Sequence, residues 1–350
     1  MSAPSTELPA GLAGLRYPIT QISLAVRDLD GLLDRYYHAF GWAPWQVFAH
    51  KLPLHHATEL RGQPVHYAMQ GAEVYVGALN FELLEPYEGP NLWSEHIEAR
   101  GEGIASIATM FLERQDSDAV KVAFKEAFDI DVINRAQIGD HIEYYYLDTE
   151  ERFGCLIESG SGHAIDFIKP VRVHPHEGAG WVPSPASGLR YRIAQVTLVA
   201  RDLDARVAAY HGGFGWGPWR IFESADGLFR DAMYRGAPAD FRMRWAQAQV
   251  GDMCFEIIEP LGGSSPWQDH LEQKGEGLIG ISVPMDSPAD AERVRQQFAA
   301  EGVGILASVR IGDAVDWFCI DSQDAYKCLI ASGVGSSFDG VAPSRTYPLA

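Results

Sequence analysis

The chain says nearly the same thing twice, and this repetition constrains its fold more than any other feature. Gln21-Ile-Ser-Leu24, Arg27-Asp-Leu-Asp30 and Phe40-Gly-Trp-Ala-Pro-Trp45 return as Gln195-Val-Thr-Leu198, Arg201-Asp-Leu-Asp204 and Phe214-Gly-Trp-Gly-Pro-Trp219. The offset is 174 residues, and it holds without a gap through Phe81-Glu-Leu-Leu-Glu-Pro86 against Phe255-Glu-Ile-Ile-Glu-Pro260. A duplication this regular means two copies of one fold in tandem. It also supplies an internal control, because a polar residue found in one copy alone is not required by the fold.

The length of 350 residues suits two domains of ordinary size. Charged residues are 21% of the chain against 47% hydrophobic, a balance that builds packed cores. The net charge of −19 argues against nucleic acid or an anionic membrane as partner, since both are held by Lys and Arg. It favours neutral or cationic small ligands. No segment reaches the roughly 18 apolar residues of a membrane span. Met1 to Leu15 shows no basic stretch followed by an apolar core, so no signal peptide is expected. Cys155, Cys254, Cys319 and Cys328 form no CxxC pair and read as free thiols in a cytoplasmic protein.

Each copy divides into two units of the same grammar. Ile19 to Val26 alternates as a strand does, and Asp28 can cap a helix whose apolar positions Leu32, Leu33, Tyr36, Tyr37 and Phe40 share one face. Gly41 ends it. Strand signals follow around Trp45–Ala49, Val65–Val76 and Asn80–Glu85. The second unit repeats the order with a strand at Ile104–Leu112, a helix from Asp116 or Ser117 to Phe128, and strands near Val132, His141 and Phe153. Copy two matches throughout, so the chain reads as four βαβββ units. The boundaries are 15–168 for the first domain, 169–188 for a linker rich in proline and glycine, and 189–335 for the second.

These units resemble the vicinal oxygen chelate superfamily, which includes glyoxalase I, methylmalonyl-CoA epimerase, extradiol dioxygenases and antibiotic-sequestering proteins. Gln21 to Asp30 looks like the family's opening strand and helix cap. Phe81-Glu-Leu-Leu-Glu-Pro86, Gly101-Glu-Gly-Ile104 and Tyr145-Tyr-Leu-Asp-Thr-Glu150 look most like the epimerase branch. The resemblance implies an α+β fold of tandem glyoxalase-like domains, in which paired βαβββ units form two half-open mixed-sheet barrels. Each barrel would have a cup at its centre. It also implies a divalent metal (Mg, Mn, Co, Zn or Fe) held by four strand residues, with a metal-free cup as the alternative.

Carried over residue by residue, the ligand positions of copy one fall on Gln21, Glu82, Ser106 and Glu158. Those of copy two fall on Gln195, Glu256, Gly280 and Ala331. Copy two lacks donors at two of these points, so its site reads as degenerate and copy one holds the expected active cup. Glu158 stands out because a carboxylate in the apolar run Cys155-Leu-Ile-Glu158 must be paired, ligated or protonated. His141 and His66, matched by Ala314 and Asp240, are candidate proton shuttles beside it. His55 and His56, in an expected loop, join Gln21, Ser106, Tyr67 and Tyr144 as substrate-binding candidates. Gln21, Glu82 and Glu158 are the candidate metal ligands. Trp42 and Trp45 recur as Trp216 and Trp219, which marks them as packing residues. The pair His174 and His176 in the linker is weak evidence for a metal.

The leading expectation is proton abstraction beside a carbonyl of a small organic substrate, giving epimerisation, isomerisation or elimination. The alternative is a non-catalytic small-molecule binder of the antibiotic-sequestering kind. An extradiol-type dioxygenase is third, since it needs two histidines and a carboxylate around iron where this chain has Gln21, Ser106 and Glu158. The expected partner is a small molecule, with a homodimer left open.

Overall fold

The computed structural model describes residues 15, 17–175, 188–225, 227–336 and 340–348. The chain divides into two compact units, one for each copy. In the first, the elements run β1 (Gln21–Ala25), α1 (Leu29–Phe40), β2 (Trp45–His50), β3 (His55–Leu60), β4 (Gln63–Pro64), β5 (Ala68–Val76), β6 (Leu79–Glu88) and α2 (Leu92–Arg100). They continue with β7 (Gly103–Phe111), α3 (Arg114–Phe128), β8 (Val132–Ile138), β9 (Ile142–Leu147), α4 (Glu150–Phe153), β10 (Leu156–Ser161), α5 (Ala164–Phe167) and β11 (Arg172–His174). The strands form one curled sheet in the order β11-β2-β5-β6-β1-β7-β10-β9-β8-β3-β4. It is the tandem glyoxalase-like arrangement, with β1 parallel to β6, β7 parallel to β10, and the two βαβββ halves joined where β1 meets β7 antiparallel.

Local chemistry explains the first helix. The Asp28 carboxylate accepts from the Gly31 N–H at 3.0 Å, which satisfies a donor that the helix start would otherwise leave open. Leu29, Leu32, Leu33, Tyr36 and Phe40 are buried, and Gly41 ends the helix at φ 68°. Tyr36 stacks on Trp42 and meets Phe81 edge-on, with ring centroids 5.5 and 5.2 Å away. Tyr210 does the same against Trp216 and Phe255 in copy two. The repeated tryptophans therefore pack the helix onto the convex face of the sheet, where each buried aromatic contributes about 1.5–3 kcal/mol.

The second unit holds the equivalent sheet. Its elements are β12 (Gln195–Val199), α6 (Leu203–Phe214), β13 (Trp219–Glu223), β14 (Phe229–Tyr234), β15 (Ala237–Pro238), β16 (Arg242–Val250), β17 (Met253–Gly262) and α7 (Pro266–Gln273). Then come β18 (Gly277–Ser282), α8 (Pro288–Ala300), β19 (Ile305–Ile311), β20 (Val315–Ile320), α9 (Gln323–Tyr326), β21 (Leu329–Val334) and β22 (Arg345–Tyr347). In both copies a glycine lets the last long strand approach its neighbour. A Cβ at Gly160 would lie 2.1 Å from the Glu143 carbonyl oxygen, and one at Gly333 would lie 1.9 Å from that of Asp316.

Three features depart from the sequence reading. His55 and His56 lie on strand β3, which pairs with β8, and not in a loop. Ala57 at φ 51° and a register shift between His56 and Glu59 break the alternation that would have revealed it. Arg172–His174 is a strand on the edge next to β2, although it reads as linker, and Arg345–Tyr347 is its counterpart beside β13. His174 therefore belongs to the sheet, with Nε2 3.2 Å from Asp34, and His176 lies outside the described residues. No disulfide forms among the described residues, and Cys155, Cys319 and Cys328 are buried. No described helix is long and apolar enough to cross a membrane.

Candidate functional sites

Backbone register places the cup residues of copy one. Across the middle of the sheet Gln21 on β1 faces Ala108 on β7, Ala108 faces Glu158 on β10, and Glu158 faces Tyr146 on β9. Cross-strand partners share a face, so these side chains all point into the concave side. On the flank, Glu82 on β6 faces Ser23 on one side and Glu73 on the other. Gln21, Glu73, Glu82, Tyr144, Tyr146 and Glu158 line a common cup, closed off by His50, His163 and Met110.

Three carboxyl groups thus share one apolar enclosure. The Tyr146 hydroxyl donates to Glu158 Oε2 at 2.7 Å, and the Ser23 hydroxyl donates to Glu82 Oε2 at 2.6 Å. Asn80 Nδ2 and the Ile165 N–H both donate to Glu73 Oε2, at 2.7 and 3.1 Å. Burial pushes the Glu158 carboxyl up to about 8, the charge of Glu73 adds to the rise, and the Tyr146 hydrogen bond opposes it. Burial and its two acidic neighbours hold Glu82 well above the usual carboxylate range. Burial raises Glu73 to about 7 against its two hydrogen bonds. The imidazoles do not neutralise the trio. Burial lowers His50 to about 3, with His55 adding to the fall, and lowers His163 to about 4. All three carboxyls are thus raised, while both imidazoles of the lining are lowered and stay neutral near pH 7.

The structure brings Gln21, Glu82, Glu158 and Tyr144 together, as the sequence suggested, but other candidates lie elsewhere. His66 is exposed, with Nε2 3.3 Å from Glu88, because the chain is not yet in the strand at that point. His141 is exposed in the turn before β9 and stacks on Phe167. His56 bonds the Gly139 carbonyl oxygen at 3.1 Å. His55 and Tyr67 sit behind the cup wall, where each bonds the Tyr144 hydroxyl, at 2.8 and 3.0 Å. They hold Tyr144 in place. Ser106 pairs with Ser23, whose hydroxyl is on Glu82, so it is buried on the same face as the cup carboxyls, one pair away from Gln21. Sequence reasoning missed Glu73, His50 and His163. Each has an uncharged counterpart in copy two (Gln247, Ser224 and Ser336), the same signal that had exposed Glu158.

The metal that the fold commonly holds does not fit this arrangement. Two of its ligand positions are Gln21 and Ser106, an amide and an alcohol, which are weak ligands for such ions. No three His, Cys, Asp or Glu side chains converge closely enough to bind an ion among the described residues. The carboxylates of Glu82 and Glu158 are instead engaged by hydroxyl donors.

One difference between the copies accounts for His50. A Cβ at Gly71 would sit 2.5 Å from His50 Nε2, so the imidazole needs glycine there. In copy two the same two positions are Trp245 and Ser224, a large residue over a small one. Gly71→Ala should cost about 1–3 kcal/mol by crowding. Adding His50→Ser should recover most of it, a coupling of about 1 kcal/mol or more in urea unfolding of the single and double variants.

The cup of copy one is nearly full, with a cavity of about 30 Å³. The segment around α5 fills its mouth. Gly162, His163 and Ala164 form part of the lining, and the Ile165 N–H is bonded to Glu73. The Tyr75 hydroxyl donates to Asp166, and Phe167 packs on His141. Copy two keeps a cavity of about 240 Å³ at the same place.

Comparison with known proteins agrees with this architecture. A triple mutant of 4-hydroxymandelate synthase from Streptomyces coelicolor is similar at 12% identity and TM-score 0.56, over 92% of this chain and 94% of that one. The Mn(II)-bound glyoxalase from Novosphingobium aromaticivorans is 13% identical at TM-score 0.49, over 91% of this chain and 82% of that one. Methylmalonyl-CoA epimerase from Mycobacterium tuberculosis is 19% identical at TM-score 0.31, over 41% of this chain and 87% of that one. No protein-family model matches the sequence, and no curated protein matches it. The chain shares the fold of that synthase along nearly the whole length of both.

Proposed function

We propose that the first copy is a proton-transfer site acting on a carbon acid, a small organic molecule with a C–H beside a carbonyl. The observation that carries this reading is the set of buried carboxyl groups, Glu158 hydrogen-bonded to Tyr146 and Glu82 to Ser23, in one enclosed cup. Enolate chemistry needs a base for the proton and a donor for the oxygen that gains charge. The environments of the two carboxyls separate these roles. Glu158 titrates near the working range and is the base. Glu82, held well above the usual carboxylate range by burial and its acidic neighbours, serves in its protonated form as the donor to the oxyanion. Gln21 orients the substrate between them, and no step is assigned to a metal.

Entry requires the α5 segment to move, because 30 Å³ holds little more than a water molecule. Tyr75→Phe removes a hydrogen bond from that segment. It should speed amide hydrogen exchange at residues 164–168 by about 5-fold, equivalent to about 1 kcal/mol, read by mass spectrometry.

The direct test is proton NMR in D₂O with a panel of 2-oxo acids, α-hydroxy ketones and thioesters. Enzyme-dependent loss of the α-proton signal supports the reading, with a rate that rises through pH about 8 as Glu158 ionises. A panel that exchanges no faster with the protein than without it counts against the proposal.

A further inference from the structure

The second copy lost two of the three acids of the first but kept more room. Its row across the sheet reads Gln195, Ser282, Ala331 and Cys319 where copy one has Gln21, Ala108, Glu158 and Tyr146. Gln247 stands in place of Glu73, and Glu256 in place of Glu82. The cavity of about 240 Å³ is walled by Trp245, Trp267 and Trp317. Phe222 stacks on Trp245 at 5.1 Å, and the walls Trp267 and Trp317 brace each other at 5.3 Å between ring centroids. Preset aromatic walls lose little freedom when a ligand arrives.

The polar floor has a defined polarity. Gln247 Nε2 donates to Glu256 Oε1 at 2.8 Å, and Gln195 Nε2 and Thr197 Oγ1 donate to Oε2 at 2.8 and 2.9 Å. Each amide turns an N–H toward the carboxyl group, so Glu256 fixes the orientation of both side chains. Three neutral donors support the buried Glu256 carboxyl, and Arg192 is the one basic side chain among the described residues of the lining. Arg192 is exposed, as is the acidic Asp252 of the same lining. A buried acid of this kind is stabilised by an incoming positive charge.

We infer that the cup of copy two is a separate ligand site for a small organic amine, its ammonium on Glu256 and the flanking amides and its apolar body between the three tryptophans. Aromatic faces attract cations as well as apolar groups, so the walls and the floor select the same ligand. The inference is independent of the proton-transfer reading of copy one. It also makes a use of the duplication: one copy kept acids in a closed cup, and the other kept space.

Isothermal titration calorimetry on the full chain with benzylamine, benzyl alcohol and benzoate tests it. Benzylamine should bind with a Kd of about 1 mM or tighter. It should bind at least about 10-fold better than the isosteric alcohol, with no binding of benzoate. Affinity should rise with pH, because burial raises the Glu256 carboxyl and the amine binds its ionised form. Glu256→Gln should abolish the preference for amine over alcohol, and Ser282→Phe, which fills the cup, should remove binding. The inference is overturned if wild-type protein binds none of the probes up to about 10 mM, or binds the alcohol or benzoate as well as the amine. Unchanged benzylamine affinity in Ser282→Phe would overturn it equally.

Discussion

Glu158→Gln is expected to slow α-proton exchange by about 100- to 10,000-fold, the span that a positioned base contributes. Glutamine has the same shape and can still accept from the Tyr146 hydroxyl, so the cup should keep its packing. Only the capacity to take a proton is lost. The defect should therefore fall on the exchange rate at saturating substrate and leave half-saturation little changed. His66→Ala and His141→Ala provide the contrast. Both side chains are exposed and outside the cup, and both variants should stay within about twofold of wild type, as surface changes do. Equal exchange in Glu158→Gln and wild type would remove the catalytic reading and leave the fold intact.

The second large effect is on stability, and its sign follows from linkage. Below pH 4.5 the cup carboxyls are protonated in both folded and unfolded chains. As pH rises, the unfolded chain releases these protons first. The folded chain holds them until about 7 for Glu73 and about 8 for Glu158. Over that window the unfolded state binds fewer protons, so rising pH favours unfolding. Stability present at low pH is lost as pH climbs through the folded values. Replacing Glu73 with glutamine should flatten this slope, and at pH about 8 the variant should be more stable than wild type by about 2 kcal/mol. That corresponds to roughly 5 °C in the Tm of the first unit. Gln247 at the matching position shows that the fold accepts an amide there. Melting curves from pH 5 to 9 give the answer, and parallel slopes for the two proteins would refute the buried, protonated trio.

The architecture was legible because duplication and periodicity repeat each signal. Asp28 and Gly41 bracket α1 as expected, and the long strands fall within a few residues of their predicted positions. What escaped lacks periodicity. α2 spans nine residues and buries only Leu92, Trp93 and Ile97, with Asn91 as its cap. β11 has three residues, too few for alternation to register. For the site, comparing copies located Glu158 because an acid faced an alanine. Applied to every strand residue, the same comparison would also have found Glu73 and His50. The misplaced histidines show where the approach stops. His66 and His141 differ between the copies just as clearly, but each stands at a strand end, where the direction of a side chain is set by the turn.

The claim on which all of this rests is that copy one encloses protonated glutamates. Carbon-13 NMR of protein labelled at the glutamate carboxyl carbons, with the Glu158 signal assigned from Glu158→Gln, reads that directly. The account predicts a titration centred near pH 8 for Glu158, and a Glu82 signal that stays in its protonated position through neutral pH. A Glu158 signal that titrates at the ordinary value near 4.5 would contradict it.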